Sequence, residues 1–112
     1  MNDKERLVSF NKALKDGFGK DASDFIVELK SIPDVGTVGV ARTRGEKDFY
    51  LLFTQDMSDF HGSHDLQSRW LRLLDIAKFL SVELNVLVYP SQHIPIFLDS
   101  ACVYKFRSFL CF

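Results

Sequence analysis

Leu66, Trp70, Leu73, Leu74, Ala77 and Leu80 recur at three- and four-residue intervals, while Arg69, Arg72, Asp75 and Lys78 fall mostly on the other side. This spacing predicts a long amphipathic helix with one packed and one solvated face. Runs of strand character stand on either side of it. Phe49 to Thr54 is aromatic and aliphatic, and Asn85-Val86-Leu87-Val88-Tyr89 is almost continuously apolar and closed by Pro90. The second run has the pattern of a strand covered on both faces, and strand-helix-strand order favours a parallel, right-handed crossover. The expected fold is therefore α/β, with a small mixed sheet flanked by helices.

Before this region, Asn2 to Asp16 places Leu7, Phe10 and Leu14 at helical spacing, with Gly17 positioned to cap the last turn. A second helix is expected to start from a cap at Asp21, turn Phe25, Ile26 and Leu29 inward, and stop near Ser31 because Pro33 forces Ile32 out of helical geometry. Gly36 to Ala41 is small or β-branched and reads as a strand, separated from the next by the charged turn Arg42-Thr43-Arg44-Gly45-Glu46-Lys47. Gln55 to Ser63 is polar and reads as a loop, with Ser63 as the cap of the long helix. Beyond His93, Ile96 to Ala101 fits a helical turn or two and Val103 to Phe106 a last strand. With 112 residues, 46% hydrophobic content and eleven phenylalanines, the chain has material for one core. It divides into an N-terminal helical pair over 1–33, a core over 35–104 and an apolar tail over 105–112.

Fourteen basic against fifteen acidic residues leave a formal charge of −1. No global field draws such a chain to nucleic acid or to an acidic membrane surface. No apolar run approaches the roughly 20 residues that cross a bilayer, and Met1-Asn2-Asp3-Lys4-Glu5-Arg6 is too charged to open a signal peptide, so a soluble cytoplasmic protein is expected. Cys102 and Cys111 neither build a disulfide framework nor form a Cys-x-x-Cys motif.

Val40-Ala41-Arg42-Thr43-Arg44-Gly45, then Asp48-Phe49-Tyr50-Leu51-Leu52, then the long helix and Leu84-Asn85-Val86-Leu87-Val88-Tyr89-Pro90 follow one another in a suggestive order. From about Val35 to Tyr104 the chain resembles the minimal, antitoxin-type nucleotidyltransferases of the DNA polymerase β superfamily. There a strand ends in Gly-Ser and continues Arg-Ala-Arg-Gly, the next begins Asp-x-Asp, and a later strand carries a third carboxylate. Three ionised carboxylates are needed because two divalent ions must be held against a triphosphate and an attacking hydroxyl. Asp48 keeps the first of those places, but Tyr50 and Asn85 hold the other two. The corresponding cluster carries about −1 rather than −3 near neutral pH. Val40 and Ala41 stand in for the Gly-Ser pair that lets backbone and hydroxyl approach phosphate. The resemblance thus implies a nucleotidyltransferase-like core without transferase chemistry and without a cofactor. Because the minimal transferases often act beside a toxin, it also implies a protein partner, a toxin or an enzyme, for an antitoxin, immunity or inhibitor-type factor.

The surfaces expected to meet that partner are the basic turn, Arg42 and Arg44, and the apolar tail, Phe106, Phe109 and Phe112. A homo-oligomer stays open. Asp48 is expected as a strand-end carboxylate paired to Arg42 or Arg44, and Tyr50 as a core or rim aromatic. His61 and His64 lie among acids in Asp56-Met57-Ser58-Asp59-Phe60-His61-Gly62-Ser63-His64-Asp65, weak candidates for a metal in a stretch that turn formation explains equally well. Glu28-Leu29-Lys30 has the Glu-x-Lys form found on nuclease strands, but the expected helical spacing of its neighbours speaks against that use. The competing function is a working nucleotidyltransferase or nucleotide binder that joins Asp48 to Asp56 or Asp59.

Overall fold

The computed structural model describes residues 2–19, 24–43, 47–54, 66–91, 95–98 and 101–109. Helix α1 (Asp3–Phe18) begins where the Asn2 side chain accepts the Glu5 N–H at 2.9 Å, and ends at Gly19, whose N–H donates to the Lys15 carbonyl and whose φ of 63° turns the chain out of the helix. Gly19, not Gly17, is the cap. Gly17 lies under Leu98, where an added β-carbon would come within 2.9 Å of a methyl group.

Strands β1 (Phe25–Ile32) and β2 (Gly36–Thr43) form a hairpin. Its turn is closed by Val35 N–H donating to the Ile32 carbonyl at 3.1 Å, with Pro33 at the first corner and Asp34 at φ 63° at the second, the arrangement of a type II turn. The expected second helix is therefore a strand, and the N-terminal region is one helix and one strand rather than a helical pair. The physical reason is a period of two: Phe25, Val27 and Leu29 all turn to the α1 side, while Glu28 and Ile32 turn to the other.

Strand β3 (Asp48–Thr54) is followed by helix α2 (Leu66–Leu84), β4 (Leu87–Pro90), β5 (Ile96–Phe97) and β6 (Ala101–Phe109). The sheet runs β1-β2-β3-β6-β4, with β5 also beside β6, and every pair is antiparallel. The fold is thus mixed α and β, but the sheet is antiparallel where a mixed one was expected. Strands β3 and β4 do run in the same direction across α2, yet β6 lies between them and removes the parallel pairing. Ile96 and Phe97 form a short strand in place of a helical turn, and the expected tail is largely an interior strand.

Two cores sandwich the sheet. Val38, Val40, Phe49, Leu51, Phe53, Cys102, Tyr104 and Phe106 pack against Leu73, Ile76, Ala77 and Leu80 of α2. On the opposite face Ala41, Leu52 and Val103 meet Phe10, Ala13 and Leu14 of α1. Each large side chain so buried contributes about 1.5–3 kcal/mol. Among the described residues no helix is long and apolar enough to cross a membrane.

Candidate binding surface

Strand alternation sets what can meet Asp48. Asp48 shares the α1 side of β3 with Tyr50 and Leu52, and its register partner on β6 is Arg107. Arg107 Nε donates to Asp48 Oδ1 at 3.1 Å, and Lys105 Nζ lies 3.4 Å from Oδ2. Both carboxylate oxygens are engaged, and one anion between two cations leaves the corner net positive, the wrong sign for holding a divalent ion. The expected partner Arg42 is elsewhere: with Val38 and Val40 it belongs to the α2 side, and its guanidinium pairs with Glu28 at 3.6 Å. Arg44 lies outside the described residues.

Tyr50 closes a rim cluster with Phe18 and Phe25, its ring centroid 4.8 Å and 5.7 Å from theirs. This is the aromatic packing expected of it. Asn85 is not on a strand. It follows the last residue of α2 at φ 54° and donates its N–H to the Val82 carbonyl at 3.3 Å, so it works as the left-handed residue that ends the helix. Asp48 and Tyr50 share a face of β3, whereas Asn85 lies across β6 and before the start of β4.

Among the described residues no three His, Cys, Asp or Glu side chains gather as a metal site. His61, His64, Asp56 and Asp59 lie outside the described residues. Glu28 and Lys30 do stand on a strand, contrary to the helical spacing expected around them. The Glu28 carboxylate is occupied by Arg42 and, at 3.8 Å, by Lys30.

Phe106, expected at a contact surface, is 0% exposed and stacks with Phe49 at 5.5 Å. Phe109 remains 43% exposed, and Phe112 lies outside the described residues. The buried Cys102 thiol is pushed up to about 12 by desolvation, and burial pushes the Tyr104 hydroxyl up as well. Neither group ionises near neutral pH, so neither serves there as nucleophile or base.

Exposed apolar surface concentrates instead along α2 and β4. Leu71, Leu87 and Tyr89 are each more than half exposed and Val82 is 81% exposed. All four line one open groove of about 730 Å3, floored by Leu74, Ala77 and Val88. Trp70 supports one end, its ring 6.3 Å from that of Tyr89. The groove exists because β4 is the outermost strand and α2 runs beside it. Ser81 ties the two together: its hydroxyl donates to the Ala77 carbonyl at 2.7 Å and accepts the Val88 N–H at 3.0 Å.

That bond also decides how the surface can be used. The register Leu87↔Phe109 and Tyr89↔Arg107 directs the N–H groups of Leu87 and Tyr89 towards β6, Val88 N–H is taken by Ser81, and Pro90 has none. The outward edge of β4 therefore offers no backbone donor to an incoming strand. An incoming strand would find acceptors but no donors, so contact there rests mainly on side chains. Leu71 and Val82 were the readable signal, two aliphatic residues on the face of α2 otherwise marked by Asp75 and Lys78. No family model matches this chain, and neither a curated protein nor a solved structure matches it.

Proposed function

We propose that this chain is a non-catalytic protein-binding domain, a nucleotidyltransferase-like scaffold emptied of its chemistry, whose working surface is the groove between α2 and β4. One observation carries the reading: Leu71, Val82, Leu87 and Tyr89, all large and apolar, stand exposed together on one groove. A contiguous patch of roughly a few hundred Å2 is the size that marks an interface on a soluble domain. Support for the non-catalytic half comes from Asp48, whose carboxylate is held by Lys105 and Arg107. Relative to the sequence-based expectation, the contact surface moves from the basic turn and Phe106 to α2 and β4. An antitoxin, immunity or inhibitor role suits such a domain.

The test uses two arms. Immobilised wild-type chain and a Leu87→Asp variant are exposed to native lysate, and a protein retained by the first and lost by the second is the expected result. In parallel, thermal unfolding is followed with magnesium and each nucleoside triphosphate. A ligand at 100 times its dissociation constant adds about 2.7 kcal/mol. A gain of that size that disappears in Asp48→Ala overturns the proposal in favour of a nucleotide-binding enzyme.

A further inference from the structure

Leu71, Asp75, Lys78 and Val82 form the outward stripe of α2, all of them exposed, at successive spacings of four, three and four residues. The stripe is symmetric about the point midway between Asp75 and Lys78. It is aliphatic at both ends and carries opposite charges on either side of its centre. Two copies of α2 laid antiparallel across a twofold axis through that point bring Leu71 against Val82 of the second copy and Asp75 against Lys78 of the second copy, each contact occurring twice. Self-complementarity of this kind is what an isologous interface requires. Among the described residues neither Asp75 nor Lys78 takes part in an ion pair within its own chain, so both charges are available.

Three further features fit the same occupant. The 4-3-4 spacing is that of a helix-packing seam, which allows two α2 helices to lie side by side at 8–10 Å. Leu87 and Tyr89 flank the seam on the β4 side and widen the apolar contact beyond the helices. The donor-free edge of β4 disfavours the other twofold solution on this side of the molecule, a continuous sheet through paired β4 strands. Building on the reading of this groove as the working surface, we infer that its occupant is a second copy of the chain, docked as an antiparallel α2 pair.

Sedimentation equilibrium of the purified chain from about 5 to 500 µM tests the inference. The stripe from Leu71 to Val82 is only about 16 Å long, so a reversible dimer with a dissociation constant on the order of micromolar to tens of micromolar is expected. Asp75→Lys and Lys78→Asp should each weaken association at least about tenfold, since each single change sets like charges opposite one another at both symmetry-related contacts. The double variant D75K/K78D restores the pairs in reverse and should return to within about threefold of wild type. Val82→Asp should abolish the dimer. All of these positions are exposed, and the melting temperature of each variant is the check that it folds. A chain that is monomeric throughout, a dimer indifferent to Asp75→Lys, or single variants not rescued by the double variant each overturn the inference. If purified chain is monomeric while lysate capture still depends on Leu87, the second copy is excluded and the binding function stands. Loss of both removes the function itself.

Discussion

The ring of Phe10 rests on Gly39 so closely that a β-carbon at that position would come within 2.7 Å of the ring's Cδ2. Helix α1 docks on the sheet through this contact, with Phe10 fully buried and Gly39 paired to Leu52 of the neighbouring strand. Gly39→Ala should cost about 1–3 kcal/mol in urea unfolding, because the ring or the helix has to move. In a Phe10→Leu background the same substitution should cost markedly less. Equal costs in the two backgrounds contradict the contact.

Asn85 makes a second prediction, one that separates a helix terminator from a lost metal ligand. At φ 54° the position favours glycine over any residue with an ordinary β-carbon. Asn85→Gly should leave stability unchanged or raise it by a few tenths of a kcal/mol, whereas Asn85→Ala should lower it by about 1 kcal/mol. Asn85→Asp should produce no magnesium-dependent rise in melting temperature, since Asp48 is on the other side of β6.

The fold was readable wherever its pattern was local. Helix α2, the apolar face of α1, and strands β2 and β3 follow from spacings within a few residues, whereas the cap of α1 falls at Gly19 and not at the expected Gly17. Strand β1 did not, because Phe25, Ile26 and Leu29 satisfy a helical period as well as Phe25, Val27 and Leu29 satisfy a strand period, and only α1 lying across the second set decides between them. The antiparallel sheet was hidden for a different reason. It depends on β6 entering between β3 and β4, a pairing between residues as far apart as Asp48 and Arg107, 59 positions distant. The same distance explains why Arg42, close in sequence, was expected beside Asp48 while Lys105 and Arg107 were not. For Phe106 the sequence leaves two outcomes equally open, an exposed contact at a frayed end or a strand folded back over the core, and the structure shows the second, with Phe106 buried in β6. The α2 and β4 groove could be inferred in part from Leu71 and Val82, but its other wall required the position of β4.

Alkaline pH supplies a third prediction. Cys102 in the folded chain ionises near 12 instead of its ordinary 9.0 because burial disfavours the thiolate. Below about pH 9 both folded and unfolded chains keep the proton. Above it the unfolded chain loses the proton first, so the stability contributed by the neutral thiol falls as pH rises from about 9 towards 12. Tyr104 shifts in the same direction and adds to the loss. Urea midpoints compared at pH 8 and pH 10.5 should drop, and the drop should be smaller in Cys102→Ala. In a Cys111→Ser background, thiol reagents should label Cys102 at pH 8 only as fast as the chain opens.

A fourth prediction concerns Asp48, which sits in a half-exposed ion pair cluster. Asp48→Ala should lower stability by less than about 1 kcal/mol, with the difference shrinking as salt is added. Capture of a partner protein should be unchanged, because the α2 and β4 surface is built from other residues. A loss of capture in this variant, with melting temperature preserved, contradicts the proposed division between the two regions.

Ser81 holds the Ala77 carbonyl with its proton and the Val88 N–H with its lone pair, spanning the junction between a helix and the outermost strand. A force that peels β4 away must therefore also disturb the final turn of α2, and a molecule seated on Leu87 presses on the same mechanical unit as one seated on Val82. Recognition on this side of the molecule is felt by a single stiff plate, which leaves little room for the strand and the helix to respond independently.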